Sequence, residues 1–143
     1  MITSDRVTGE EVLTAASALV DAFGHHRTAD YFAAFTEDAT FLFHNHPELL
    51  ADRAAYETLW RSWEADGFRV QQCRSLEGSV LVLDEDHAVF THRVRTRVAG
   101  VTEEQAERET MVFVRQPDGR WLVAHEHLSV DPRTDDVADS ESE

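Results

Sequence analysis

His92, Glu109 and Glu126 sit in segments where apolar and polar residues alternate, and their same-parity neighbours are Phe90, Val94, Met111, Phe113 and Leu128. An imidazole held against a carboxylate near neutral pH is a proton-transfer pair, fit for general acid–base work on a small substrate. If the two glutamates occupy opposite positions of neighbouring strands, about 5 Å apart, their repulsion and their burial both raise at least one carboxyl pKa. Read structurally, the same three residues form a hydrogen-bonded cluster that only stabilises a sheet.

Other residue types carry less chemistry. His44 and His46 share one strand face, as do His125 and His127, but His-x-His on a strand has no ligand geometry of its own, so no metal is expected. Cys73 lacks a CxxC partner, which excludes an internal disulfide and favours a packed or exposed thiol over a nucleophile. All 13 basic residues are arginine, so Schiff-base catalysis and lysine-dependent phosphate loops are excluded. No GxSxG, Gly-rich loop or zinc-finger spacing occurs, and no cofactor is expected. A net charge of -15 repels phosphate backbones and anionic lipids, so neither nucleic acid nor a membrane is an expected partner. The start MITSDRVTGEEV lacks a basic region followed by an apolar run, and no stretch of about 18 apolar residues exists; the expected address is the cytoplasm.

The elements that must position these groups follow from periodicity. Thr8 and Glu11 form a capping box before Val12, Ala16, Leu19 and Phe23, predicting a helix over 9–24. Thr28 caps a second short helix with Tyr31, Phe32 and Phe35 on its apolar face, ended by Glu37 and Asp38 before a β-rich run over 39–44. Asp52 is the expected N-cap of a third helix with Tyr56, Leu59, Trp60 and Trp63 on one stripe, closed by Gly67. From there the period changes to two, giving strands at 68–76, 79–83, 87–98, 106–116 and 120–130. Helices followed by an antiparallel meander define an α+β domain over residues 1–130. Residues 131–143 carry six acids and one arginine, the composition of a disordered, solvated tail, and leave -10 on the body.

On strand 87–98 the inward face is Ala88, Phe90, His92, Val94, Thr96 and Val98; Arg93, Arg95 and Arg97 lie outside, to pair with acids or a second subunit. On strand 106–116 the chosen inward face is Glu109, Met111 and Phe113. Closing QPDG as a four-residue loop pairs Arg115 with Arg120, Phe113 with Leu122, Met111 with Ala124 and Glu109 with Glu126. A slip of one residue would replace Glu126 by His125 or His127.

The order of elements, the segment Asp38-Ala39-Thr40-Phe41 and the ending from Pro117 through Trp121 to Ser129 resemble the nuclear transport factor 2-like superfamily, in its SnoaL-like and calcium/calmodulin-dependent kinase association-domain branch. The resemblance covers about residues 8–130. It implies a cone-shaped, cystatin-like fold, a curved antiparallel sheet wrapped around about three N-terminal helices, with a pocket in the cone and a homodimer through the outer sheet face. It places pocket arginines of the kinase domains at His92, Met111 and Leu128, matches Glu109 to the pocket acid of ketosteroid isomerases and puts their general base at Phe43. Ketosteroid isomerisation is therefore not what these residues fit. Phe43, Asn45, Trp60, Trp63, Phe90 and Met111 are the expected ligand-binding residues beside His92, Glu109 and Glu126, in a pocket suited to a small, mostly apolar molecule. The expected function is small-molecule binding, with isomerase, cyclase or dehydratase chemistry as one reading and a noncatalytic binding or dimerisation module as the other. An open cavity with His92 and an acid within hydrogen-bond reach favours chemistry or binding, and a cavity plugged by Trp60 or Trp63 favours a pure dimerisation scaffold.

Overall fold

Val12, Ala16, Leu19 and Ala22 recur at intervals of three or four and are all buried along α1 (Ile2–Gly24). The structure is a computed structural model that describes residues 2–134; residues 135–143 of the acidic segment lie outside the described residues. The first helix begins well before the expected cap, so Thr8 and Glu11 lie inside it, and the Glu11 carboxylate instead accepts the Trp121 indole N–H at 3.0 Å. There follow α2 (Thr28–Phe32), β1 (Phe35–Phe43), α3 (Arg53–Ala65), β2 (Val70–Asp84), β3 (His87–Val98), β4 (Gln105–Arg115) and β5 (Trp121–Val130). Glu37 and Asp38 do not end α2; they lie within β1, whose Phe35, Ala39, Phe41 and Phe43 are buried. Asp52 does cap α3, accepting the Ala55 N–H at 2.8 Å, and Gly67 takes the left-handed backbone (φ 98°) that ends it.

The strands form one five-stranded sheet in the order β1-β5-β4-β3-β2. Four are antiparallel, as expected of a meander, whereas β1 joins β5 in parallel, with Phe41 beside Glu126 and Phe43 beside Leu128. The chain belongs to the α+β class, with helices against one face of a curved sheet. Its core is an aromatic cluster from α2, β1 and α3, in which the Phe41 and Tyr56 rings lie 4.6 Å apart and Tyr31 and Trp60 5.3 Å apart.

Two irregularities reset strand parity. The segments expected as strands 68–76 and 79–83 are one strand, because Glu77 (φ 56°) and Gly78 form a bulge opposite His92, not a turn. At the other end, Arg115 pairs with Trp121, Val114 with Leu122 and Phe113 with Val123, one position off the expected register. Trp121 and Val123, not Leu122 and Ala124, are therefore the buried residues. Ala124 then bulges, and beyond it Met111 faces Glu126 and Glu109 faces Leu128. The extra residue restores the inward parity of Glu126, though not its pairing with Glu109.

Candidate functional site

The inward row of β3 carries His92 because its neighbours Phe90 and Val94 must be buried, and the antiparallel register puts Glu109 of β4 directly beside it. His92 Nε2 is 2.6 Å from Glu109 Oε1, with the imidazole fully enclosed and the carboxyl side chain 11% exposed. On its other side, His92 Nδ1 meets Ser75 Oγ of β2 at 2.5 Å. Glu126 of β5 completes the row, buried and hydrogen-bonded to Glu109.

These environments push the two carboxyls apart. Burial raises Glu126 well above the usual carboxyl range, and the neighbouring Glu109 charge adds to it. Burial also acts to raise Glu109, but its hydrogen bonds from Glu126 and His92 outweigh that and bring it below the ordinary value. One proton is thus shared across the pair and held on Glu126, since two adjacent buried carboxylates cannot both ionise cheaply. Among the described residues, Glu126 Oε1 has no hydrogen-bond partner.

That oxygen belongs to a residue lining a cavity of about 80 Å³ between the helices and the sheet, whose walls include Phe43, Asn45, Tyr56, Trp63, Glu109 and Glu126. The volume holds a few water molecules or a compact organic group, well below a drug-sized pocket. Of the residues expected to contact a ligand, Phe43, Asn45 and Trp63 line it. The other three fall outside the lining. Trp60 is in the aromatic core with its indole N–H donated to Glu64 at 3.0 Å, Met111 is fully buried, and Phe90 packs 4.6 Å from the His92 ring. His92 reaches the cavity only through Glu109.

Three polar features escaped the sequence reading. Glu107 lies on the same face as Glu109, lines the cavity and accepts from His44 Nε2 at 2.7 Å; burial raises its pKa, partly offset by that bond. Its period-two spacing from Glu109 was the available signal. Tyr31 and Tyr56, read as apolar, both line the cavity, and their hydroxyls bond each other at 2.9 Å. Burial drives both phenols well above their usual range. Ser75 gave no signal, because the bulge that follows it is invisible to alternation. The remaining histidines are apart: His125 Nδ1 bonds Thr40 at 2.8 Å, and among the described residues no three metal-ligating side chains converge. Burial pushes the Cys73 thiol up to about 12, an environment that keeps it protonated.

The SnoaL-like domain family matches residues 12–132, and the chain belongs to that family. No protein of curated function matches it in sequence. Among solved structures it is similar to a ketosteroid isomerase-like protein from Erwinia carotovora atroseptica (TM-score 0.74, 18% identity, 87% of this chain and 96% of that one). It is also similar to ActVI-ORFA from Streptomyces coelicolor (0.65, 23%, 85% and 96%). A third likeness is to a structure named for a calcium/calmodulin-dependent protein kinase type II association domain from Thiobacillus denitrificans (0.62, 22%, 82% and 92%). At these identities the likeness is one of fold, cystatin-like and nuclear transport factor 2-like.

Proposed function

We propose that the cavity binds a small, mostly apolar molecule bearing one polar handle, and that Glu126, Glu109 and His92 exchange a proton with it in a reaction of isomerase, cyclase or dehydratase type. The observation that carries this reading is the pair of neighbouring carboxyls on the cavity wall, Glu126 buried and Glu109 bonded to His92, with one Glu126 oxygen left unpartnered among the described residues. A neutral carboxyl beside an ionised one supplies an acid and a base at the same place. Tyr31 and Tyr56, held neutral, are donors within the same wall.

Phenol and toluene test the binding, since they match in size and differ by one hydroxyl. Titration followed by amide NMR shifts should show phenol binding about tenfold more tightly, the value of one hydrogen bond to the free carboxyl oxygen. Absence of cavity shifts with either compound would sink the reading. Turnover is tested with α-deuterated cyclopentanone: Glu126→Gln should slow deuterium loss by about a hundredfold or more. Binding without exchange in the native chain would leave a noncatalytic module, a reading that the small volume of the cavity favours.

The homodimer belongs to this proposal too. Leu42, Leu81, Leu83 and Val130 are large apolar side chains exposed on the strands. The arginines do not argue for it, because Arg93, Arg95 and Arg97 are engaged by Asp131, Glu77 and Glu104 of the same chain. Light scattering at high micromolar concentration should give twice the chain mass; a strict monomer would remove this part.

A further inference from the structure

Ser75, His92, Glu109 and Glu126 come from four successive strands, β2, β3, β4 and β5, and lie in one hydrogen-bonded row on the inner face of the sheet. The two ends of the row open on different spaces. Glu109 and Glu126 line the cavity, whereas Ser75 is half-buried in a separate groove of about 570 Å³ between α1 and β2, walled by the exposed Leu13, Ser17 and Asp21 and by Gly78. The Glu77–Gly78 bulge stands opposite His92, and a side chain at Gly78 would meet the Phe90 ring at 3.1 Å. The bulge therefore makes the local room in which a β2 hydroxyl reaches a β3 imidazole that has no paired residue on β2.

We infer that these four residues form a proton path joining the α1–β2 groove to the cavity, with Ser75 as its solvent-side terminus. The inference rests on the acid–base reading of the cavity and adds where its protons come from. When Glu126 gives its proton to a bound molecule, the row holds two neighbouring carboxylates, and their repulsion draws a proton inward. A groove water releases a proton to Ser75 Oγ, Ser75 passes its own to His92 Nδ1, and His92 passes its Nε2 proton to Glu109, which shares it again with Glu126. Each group gains one proton and loses one, the hydroxide left in the groove is neutralised by solvent, and no electrons change hands. A proton taken from the bound molecule later runs the row in reverse and restores the starting tautomer of His92.

The test is the exchange of the His92 ring N–H with water, read by NMR without any ligand. Ser75→Ala should slow it at least about tenfold, and Ser75→Thr, which keeps a hydroxyl, should bring it back to near the native rate. Ser17→Trp, which fills the groove and leaves the row untouched, should slow it as well. Unchanged or faster exchange in Ser75→Ala with a native amide spectrum overturns the path; if that variant fails to fold, an unchanged rate in Ser17→Trp overturns it alone. Slowed exchange with no phenol binding would strike the cavity reading and leave the path standing, while phenol binding with unchanged exchange would do the opposite.

Discussion

The two faces of β3 and β4 handle buried charge in opposite ways. On the inner face Glu107, Glu126 and His92 are buried and the half-buried Glu109 bonds His92, while the more exposed His44 bonds Glu107; none of the hydrogen bonds of this group among the described residues comes from an arginine. On the outer face Arg95 is buried and Arg93 half-buried, both holding Asp131, the first residue after β5, with its side chain fully enclosed. Ionised oxygens on the outside are matched by guanidiniums that stay charged at every accessible pH. On the inside the charge is removed by sharing protons, so that face is the one whose state follows pH. A chain with 28 acids thus reserves its arginines for stability and leaves the cavity to groups that can titrate.

The largest test of that contrast is the pH dependence of Glu126→Gln. The folded state holds the Glu126 proton more tightly than the unfolded chain, whose carboxyl ionises near 4.5. Native stability is therefore lost as pH rises above that value, by up to about 1.4 kcal/mol per unit until the folded carboxyl itself ionises. Denaturant unfolding should find the variant close to the native chain at pH 4 and more stable by about 2 kcal/mol near neutrality. A gap that does not grow with pH would break the assignment of the shared proton to Glu126.

Asp131→Ala should cost about 2 kcal/mol, because it strands Arg95 in a buried site. Burial acts to raise Asp131, but the Arg133 backbone, Arg93 and Arg95 hold it below its ordinary 3.8. Its contribution is accordingly present above that value and lost only in acid, so the cost should be flat between pH 5 and 8. A cost that varies over that range would erase the distinction between the faces. Tyr56→Phe, which leaves the Tyr31 hydroxyl without its bond, should cost about 1 kcal/mol in the same assay and weaken phenol binding. The smallest effect belongs to Glu77→Gln, at most about 0.5 kcal/mol and vanishing in high salt, since its pairs with Arg93 and Arg133 are exposed.

Much of this was legible in the residues themselves. Alternation along strand 87–98 gives the buried face of β3, and pairing across the Ala99–Gly100 turn leaves His92 beside Glu109 or Met111, of which the structure selects Glu109; the first inference needs only period two, while the second depends on the exact length of the connection. Asp52 and Gly67 marked the ends of α3 through local backbone chemistry. The hairpin before β5 was misread by one position, and Glu126 still turns inward because the bulge at Ala124 cancels the slip. Nothing local in Leu122-Val123-Ala124 encodes that bulge; it is set by which side chains Phe113 and Met111 can pack against.

The sequence by itself determined the class of fold, the polarity of each long strand and the company of one histidine with acids, since those follow from side-chain volume, charge and spacing along the chain. Only the tertiary structure decided that Glu126 Oε1 is left unpartnered among the described residues, that Ser75 joins the row and Glu107 lines the cavity, that the Tyr31 and Tyr56 hydroxyls bond each other, and that Asp131 folds back onto the arginines of β3. Each of these is a contact between residues distant in sequence, fixed by bulges and by packing that no local period records.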